Sequence, residues 1–463
     1  MTNMCQRCKK CMSVLYNSGQ FLRHLMKSTF VRIWFFIYLL TFGLVLPVIL
    51  RDFRFSIYYR NNDSEKYGQM ILRKTNEERK EKANEFIQRY NKTFHNNIEK
   101  HKLEVTHGID TKDGKMLDFV VTIVTVSRNK HTFDSYEPKY LSQTVWKFLE
   151  MPNPNSSSMK NFRLCICNVD DDPEKYKEAQ LLRSIVTTFQ RFNKSEPNKE
   201  HILEKEKQDY VYCLNSSLQL NPKYVLLVED DALPKEDLFP VLEHVIAHRD
   251  LAHYETLTHA STDDIASNVL NLGTKSEMST ENNSTDAAPY AHDKVLYYKL
   301  YHPERLLGFI SFEPERLPEL LGISVLLGYL VFMILFPCSR YLQHNRTKSL
   351  VLISLYWCLV VLAIGRPHLV TLRSISKYLY SVVPAPSCCT PAMLYPSGSA
   401  REIIEYLSKV KCKKDYAKDM ALEDFRKATF HRSLMVQPNL FSHIGLYSSL
   451  RDAILPPHLI YDT

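Results

Sequence analysis

The stretch Tyr224-Val-Leu-Leu-Val-Glu-Asp-Asp231 constrains the fold more than any other: an apolar run that ends in three consecutive carboxylates. Residues 224–228 are short, continuous and rich in branched side chains, the pattern of a strand buried on both faces. In open α/β sheets built from such strands, ligands bind beyond the strands' carboxyl ends. Adjacent acids there repel one another unless a cation neutralises them, and Mg2+ or Mn2+ prefers carboxylate oxygen. A diphosphate suits such a site because its own charge also needs an offset. The competing reading is a solvated turn in which Asp230 or Asp231 caps a helix after Pro234.

The neighbouring pattern extends the sheet. Phe119-Val-Val-Thr-Ile-Val-Thr-Val126 reads as a second buried strand, followed by Ser127-Arg-Asn and a helix near 140–150. A strand over 162–169 ends in Asp170-Asp-Asp172, and residues 174–191 read as a helix. After the acid-tipped strand comes a helix over about 235–248. Strand–helix alternation of this kind predicts a parallel sheet with helices on both faces. Acids at the ends of two strands suit a nucleotide sugar, whose ribose, diphosphate and metal all need carboxylates. Residues 65–102, with Glu77-Glu-Arg-Lys-Glu-Lys82, have the composition of a charged helical stem. Residues 274–289 are polar and read as a surface loop.

Apolar segments suggest a membrane protein. Residues 33–50 have about the length a bilayer requires. Arg7, Lys9, Lys10, Arg23, Lys27 and Arg32 precede them, with no acid before the segment. The positive-inside rule therefore predicts a cytosolic N-terminus and an uncleaved signal anchor; a cleaved signal peptide would end in a small-x-small exit, which is lacking. Residues 320–336 and 350–365 are each short for a span, and buried core helices are the alternative. A short joining loop carrying Arg340, Arg346 and Lys348 favours a membrane hairpin with a cytosolic turn. The net charge of +8 on 463 residues gathers near these segments, so it reads as a topology signal and not as a nucleic-acid surface.

Sequons at Asn62, Asn91, Asn155, Asn193, Asn215, Asn282 and Asn283 fall in the portion expected to be lumenal, while Asn345 falls in the expected cytosolic turn. Cys5, Cys8 and Cys11 lie in the N-terminal tail, where palmitoylation or no function is favoured over zinc. Cys165, Cys167, Cys213, Cys388, Cys389 and Cys412 would face an oxidising lumen, so one to three disulfides of open connectivity are expected.

With these residues in place, a resemblance becomes specific. The strand-Glu-Asp-Asp signature resembles the DxD-type motif of GT-A glycosyltransferases. The run Gln437-Pro-Asn-Leu-Phe-Ser-His-Ile-Gly-Leu-Tyr-Ser-Ser-Leu450 is similar to the terminal motif of Golgi N-acetylglucosaminyltransferases of the type IV branch. A GT-A body interrupted by a membrane hairpin resembles a narrower family, the post-GPI-attachment GalNAc transferases, which add a GalNAc branch to the first mannose of the GPI glycan. The resemblance implies an α/β fold: a GT-A-like glycosyltransferase domain with an N-terminal signal anchor and an inserted two-helix transmembrane hairpin. The expected organisation is a cytosolic tail (1–32), the anchor (33–50), a stem (51–105), the first part of the lumenal catalytic domain (106–318), the hairpin (319–365) and its second part (366–463).

By the same resemblance, Asp231 would coordinate Mn2+ or Mg2+ bridging the diphosphate of UDP-GalNAc, Glu229 and Asp230 would contact the ribose and metal shell, and His443 would add a further ligand. Inverting transfer also needs a general base. Asp419, in Lys418-Asp-Met-Ala-Leu-Glu-Asp424, resembles an acid that precedes the terminal motif in the type IV enzymes, with Asp424 and Glu423 behind it. Surface helix acids are the alternative for each. The implied partners are a GPI glycan or GPI-anchored protein, membrane lipid and a nucleotide-sugar donor, without nucleic acid, in a multi-pass Golgi membrane protein. A second Arg- and Glu-bearing stretch, 306–317, could rest at the membrane interface. The competing functions are a UDP-GlcNAc-dependent N-glycan transferase and a non-catalytic multipass scaffold.

Overall fold

The computed structural model describes residues 29–53, 55–59, 65–96, 117–128, 137–151, 162–192, 201–247, 294–303, 317–338, 340–448 and 453–454. The loop at 274–289, the interfacial stretch at 306–316 and the tail cysteines lie outside the described residues. The chain divides into two units, one of residues 1–62 and 307–369, the other of residues 63–306 and 370–462.

The larger unit is built on β1 (Leu117–Thr125), β2 (Phe162–Asn168), β3 (Thr187–Gln190), β4 (Pro222–Glu229), β6 (Val295–Lys299), β7 (Ser381–Pro384), β8 (Ala392–Pro396) and β9 (Arg432–Gln437). These form an eight-stranded sheet in the order β3-β2-β1-β4-β8-β6-β9-β7. The expected parallel arrangement holds across β3, β2, β1 and β4. It stops there: β8 pairs antiparallel with both β4 and β6, and β7 antiparallel with β9, while β6 and β9 are parallel. The sheet is therefore mixed, because strands from beyond residue 370 return to complete it.

Alternation along each strand explains why the runs are continuously apolar. Val121, Ile123, Leu226 and Val228 enter one core layer, and Cys167, Val225, Leu227 and Met393 enter another. Both faces are covered, so no position in a central strand can be polar without a partner. A disulfide between Cys167 and Cys213 ties β2 to the helix Ile202–Leu218, while Cys165, Cys388, Cys389 and Cys412 are free.

Two local expectations differ from what forms. Residues 174–191 yield only a six-residue helix, Lys177–Leu182, before β3 pairs parallel with β2. The β-branched and aromatic Thr187-Thr-Phe189 fits an edge strand better than another helical turn. The charged helix Glu65–Asn96 belongs to the larger unit and does not stand free. Its Asn76 is buried and donates from Nδ2 to the Pro138 carbonyl at 3.2 Å, and Arg79 Nε donates to Gln143 Oε1 at 2.9 Å.

In the smaller unit, residues 32–49 make an apolar stretch long enough to cross a membrane, as do residues 346–364. The helix Leu317–Leu335 is apolar but its charge-free part is shorter. It packs against Arg346–Ile364, and the pair closes on Gly328: a Cβ there would lie 2.4 Å from Ser354 Oγ and 2.8 Å from Ser354 Cα. Apolar side chains such as Leu321, Val325, Ile334 and Val351 remain exposed around the pair. Overpacking a close contact of this kind costs about 1–3 kcal/mol. Gly328→Ile is thus expected to lower the thermal midpoint of the detergent-solubilised chain, with Gly328→Ala intermediate; unchanged midpoints for both would show that the contact is loose.

Candidate functional site

β4 delivers its acids to the end of the sheet, where the chain turns at once into β5 (Ala232–Pro234). The terminal motif comes back to meet them. β10 (Phe441–His443) pairs antiparallel with β5, placing His443 opposite Ala232, and Ile444 N donates to the Asp231 carbonyl at 2.8 Å. Asn439 helps to fix this return: its Oδ1 accepts from His302 N at 3.0 Å and its Nδ2 donates to the His302 carbonyl at 2.9 Å. Residues more than 200 positions apart in sequence thus share one site.

Asp230 and Asp231 are both buried. Thr125 Oγ1 donates to Asp230 Oδ2 at 2.7 Å, and Arg128 donates to Asp230 Oδ1. Arg128 also lies 3.1 Å from Asp231 Oδ2, and His443 Nε2 approaches the same oxygen at 3.7 Å. Asp231 Oδ1 is buried with no hydrogen-bond partner among the described residues. Gly445 makes the approach possible, since a Cβ there would lie 2.1 Å from Asp231 Oδ2.

Electrostatics separates the carboxylates. Burial pushes Asp231 up, but Arg128 and His443 outweigh it and hold the group below the usual carboxylate range. Burial prevails at Asp230, which is raised despite Arg128. Glu229 is pushed up to about 8 by burial, with Lys418 pulling the other way. Lys418 is itself buried, 2.9 Å from Glu206 and over the Tyr210 ring. The second acid run serves the scaffold: Asp170 Oδ2 accepts from Ser127 N at 2.8 Å, Asp171 pairs with Lys205 at 3.3 Å, and Asp172 with Lys175 at 2.7 Å.

The two acids singled out as bases part company. Asp419 is half-buried; its Oδ2 accepts from Cys389 N at 2.8 Å, and its charge is felt at Glu229 and Lys418. Asp424 is exposed on the same helix, Lys418–Thr429, and accepts from Tyr416 at 2.9 Å; Glu423 pairs with Arg426. The geometry brings Asp230, Asp231 and His443 together, sets Glu229 within electrostatic range of Asp231, Lys418 and Asp419, and leaves Asp424 at the surface.

Arg128 joins the site although no local sequence pattern marks it. It donates to the Tyr447 carbonyl at 2.5 Å and its guanidinium lies 4.7 Å from the centre of the Tyr140 ring. The available signal was its position, directly after a buried strand beside an acid-tipped one. A cavity of about 250 Å³ opens beside Arg128 and Asp230, walled by Tyr140, Tyr176 and Glu178.

Removing Arg128 leaves two buried carboxylates without their cation, a loss of about 3–5 kcal/mol for a broken buried pair. Arg128→Leu is expected to lose that much in denaturation; a loss well below it would mean that protonation alone neutralises the acids. Glu178 gives a pH-dependent counterpart. Burial raises its carboxyl, against hydrogen bonds from Ser142 N. Between the unfolded carboxyl range and the raised folded value the native state holds more protons, so stability falls as pH rises through that window. Glu178→Gln keeps the acceptor and removes the ionisation. Its stability relative to the parent should therefore increase as pH rises above the ordinary carboxyl range; a constant difference would place the titration elsewhere.

The family model described as GPI-N-acetylgalactosamine transferase PGAP4 matches residues 119–442, from β1 through the acids of β4 to within one residue of His443. A match over more than half of the chain, spanning the strand that carries the acids and the start of the segment that folds back on them, makes this protein a member of the GPI-N-acetylgalactosamine transferase PGAP4 family.

Proposed function

We propose that this chain transfers GalNAc from UDP-GalNAc to the first mannose of a GPI glycan by a metal-assisted inverting displacement. The observation that carries the reading is the convergence of Asp231, inside the family match, and His443, the residue directly after it, from distant strands on one point. Family membership implies a glycosyltransferase and hence a nucleotide-sugar donor.

The residues present fit a divalent cation. Asp231 offers a buried oxygen without a hydrogen bond from the described residues, and His443 offers a ring nitrogen beside the same carboxylate. Asp231 and His443 would hold Mn2+ or Mg2+, with Glu229 and Asp230 near the ribose and metal shell. The bound ion supplies Lewis-acid stabilisation to the departing diphosphate. Arg128 holds both carboxylates in place and keeps Asp231 ionised. Asp419 accepts the acceptor hydroxyl's proton on its carboxylate while Cys389 N fixes Oδ2.

Sheet connectivity supports the proposed topology. β6 precedes the apolar insertion and β8 follows it, yet they are hydrogen-bonded neighbours. Both flanks must therefore lie on one side of any membrane, so an insertion that spans it crosses an even number of times. Two packed apolar helices with exposed apolar side chains meet that condition. The proposed placement is a multi-pass Golgi membrane protein with a cytosolic N-terminus and a lumenal catalytic unit, close to its lipid-linked acceptor.

Loss of a key electrostatic contributor typically costs about 100- to 1,000-fold in turnover. In cells lacking the protein, the wild type should restore a HexNAc branch on GPI glycans measured by mass spectrometry, while Asp231→Ala at equal abundance should not. Equal rescue would remove the carboxylate from the mechanism. Unchanged GPI glycans with altered N-glycan branching would move the acceptor assignment.

A further inference from the structure

A second group of ligand-type side chains lies outside the acid site. His302, Cys388 and Cys389 each place one donor atom within 4.8 Å of the others. His302 follows β6 and is buried, and both cysteines lie half-buried in the loop between β7 and β8. Successive side chains of an extended strand point to opposite faces. Here the backbone at Cys389 is left-handed, at φ 68°, and the two Sγ atoms stand 3.2 Å apart. Adjacent Cα atoms lie about 3.8 Å apart, below the about 4.4–6.8 Å span of ordinary disulfides, so the pair is poorly placed to bridge directly. Two thiolates and an imidazole are instead a zinc donor set, with Zn–S near 2.3 Å and Zn–N near 2.0–2.1 Å.

We propose that His302, Cys388 and Cys389 bind a zinc ion that pins the β7–β8 loop to the end of β6. Binding displaces one proton from each thiol and takes the imidazole lone pair, and no electron is transferred. The three ligands leave one position of a tetrahedral ion open. The surroundings fit a fixed point. Lys299 Nζ donates to the Pro386 carbonyl at 2.6 Å and to the Cys388 carbonyl, and Asn439 holds the His302 backbone on both sides. Cys389 N and Thr390 Oγ1 both donate to Asp419, so the ion would steady the loop that orients this carboxylate. That consequence rests on the assignment of Asp419 as base; the metal site does not.

The test uses the full-length chain in detergent with Cys5, Cys8 and Cys11 replaced by serine, so that the N-terminal tail cannot hold the metal. Elemental analysis after exposure to zinc should give about one ion per chain from this site. Co(II) substitution should give a near-ultraviolet thiolate-to-metal band, which Asp231 and His443 cannot produce. Cys388→Ser or Cys389→Ser should lower both signals at least tenfold, whereas Cys165→Ser and Cys412→Ser should leave them intact. The wild-type Co(II) spectrum decides the matter even if a variant fails to fold. No thiolate band with both thiols open to alkylation overturns the proposal. So does a chain two hydrogen masses lighter whose pair resists alkylation, since that marks a Cys388–Cys389 disulfide.

Discussion

Two buried carboxylates side by side at the end of a central strand carry charge that the protein has to offset where they stand. Arg128 does so from the neighbouring strand end, reaching both Asp230 and Asp231. Much of the surrounding structure follows from keeping that arrangement fixed. Thr125 completes Asp230, Thr144 donates to its carbonyl at 2.7 Å, and Tyr447 and Tyr140 hold the guanidinium from the opposite side. An ion pair shielded from water stabilises only if its geometry is good, and removal of one partner costs more than formation of the pair gains. The terminal segment is therefore part of the electrostatics of β4 as well as part of the fold.

The same dependence joins the two halves of the sheet. β4 has β1 on one side and β8 on the other, and β8 belongs to sequence beyond the apolar insertion. The strand that carries the acids is thus hydrogen-bonded to both portions of the chain. Its last amides show it directly: Asp230 N donates to the Val124 carbonyl and Glu229 N to the Pro391 carbonyl. An insertion at this point is tolerated only if its ends return to the sheet, which constrains how many times it can cross a bilayer.

What the sequence displayed was whatever rests on local apolar patterning. Strands β1, β2 and β4 and the helix Tyr140–Glu150 stand where periodicity placed them, because burial on both faces forces continuous apolar runs. Contacts made by single polar residues left no such trace. Arg128, Gly445 and Lys418 act through partners far away in sequence, and nothing periodic marks them. The charged composition of Glu65–Asn96 read as solvated, yet Asn76 and Arg79 dock it onto the helix Tyr140–Glu150. Asp419 and Asp424 share one short motif, and only the resemblance put Asp419 first; the helix turns Asp419 towards the Cys389–Thr390 loop and Asp424 to solvent. The antiparallel strands were equally hidden, since register across 170 or so residues of intervening chain is a tertiary property.

Asp231 carries a division of labour between its oxygens that bears on the proposed chemistry. Oδ2 faces Arg128 and His443, whereas Oδ1 is buried without a hydrogen bond from the described residues. Leaving such an oxygen unsatisfied costs about 1–3 kcal/mol or more for a charged group, so a ligand that meets it gains that amount back. Arg128 is held by Tyr447 and Tyr140 as well as by the acids, and is poorly placed to swing across to Oδ1. A cation drawn to Oδ1 would therefore add to the Arg128 pair without replacing it. Two cationic groups, a divalent ion and a guanidinium, would then stand at the strand end where a diphosphate brings its own negative charge. With acids alone the proposed site would attract a metal; with Arg128 present, a loaded site would also retain positive charge for a polyanionic leaving group.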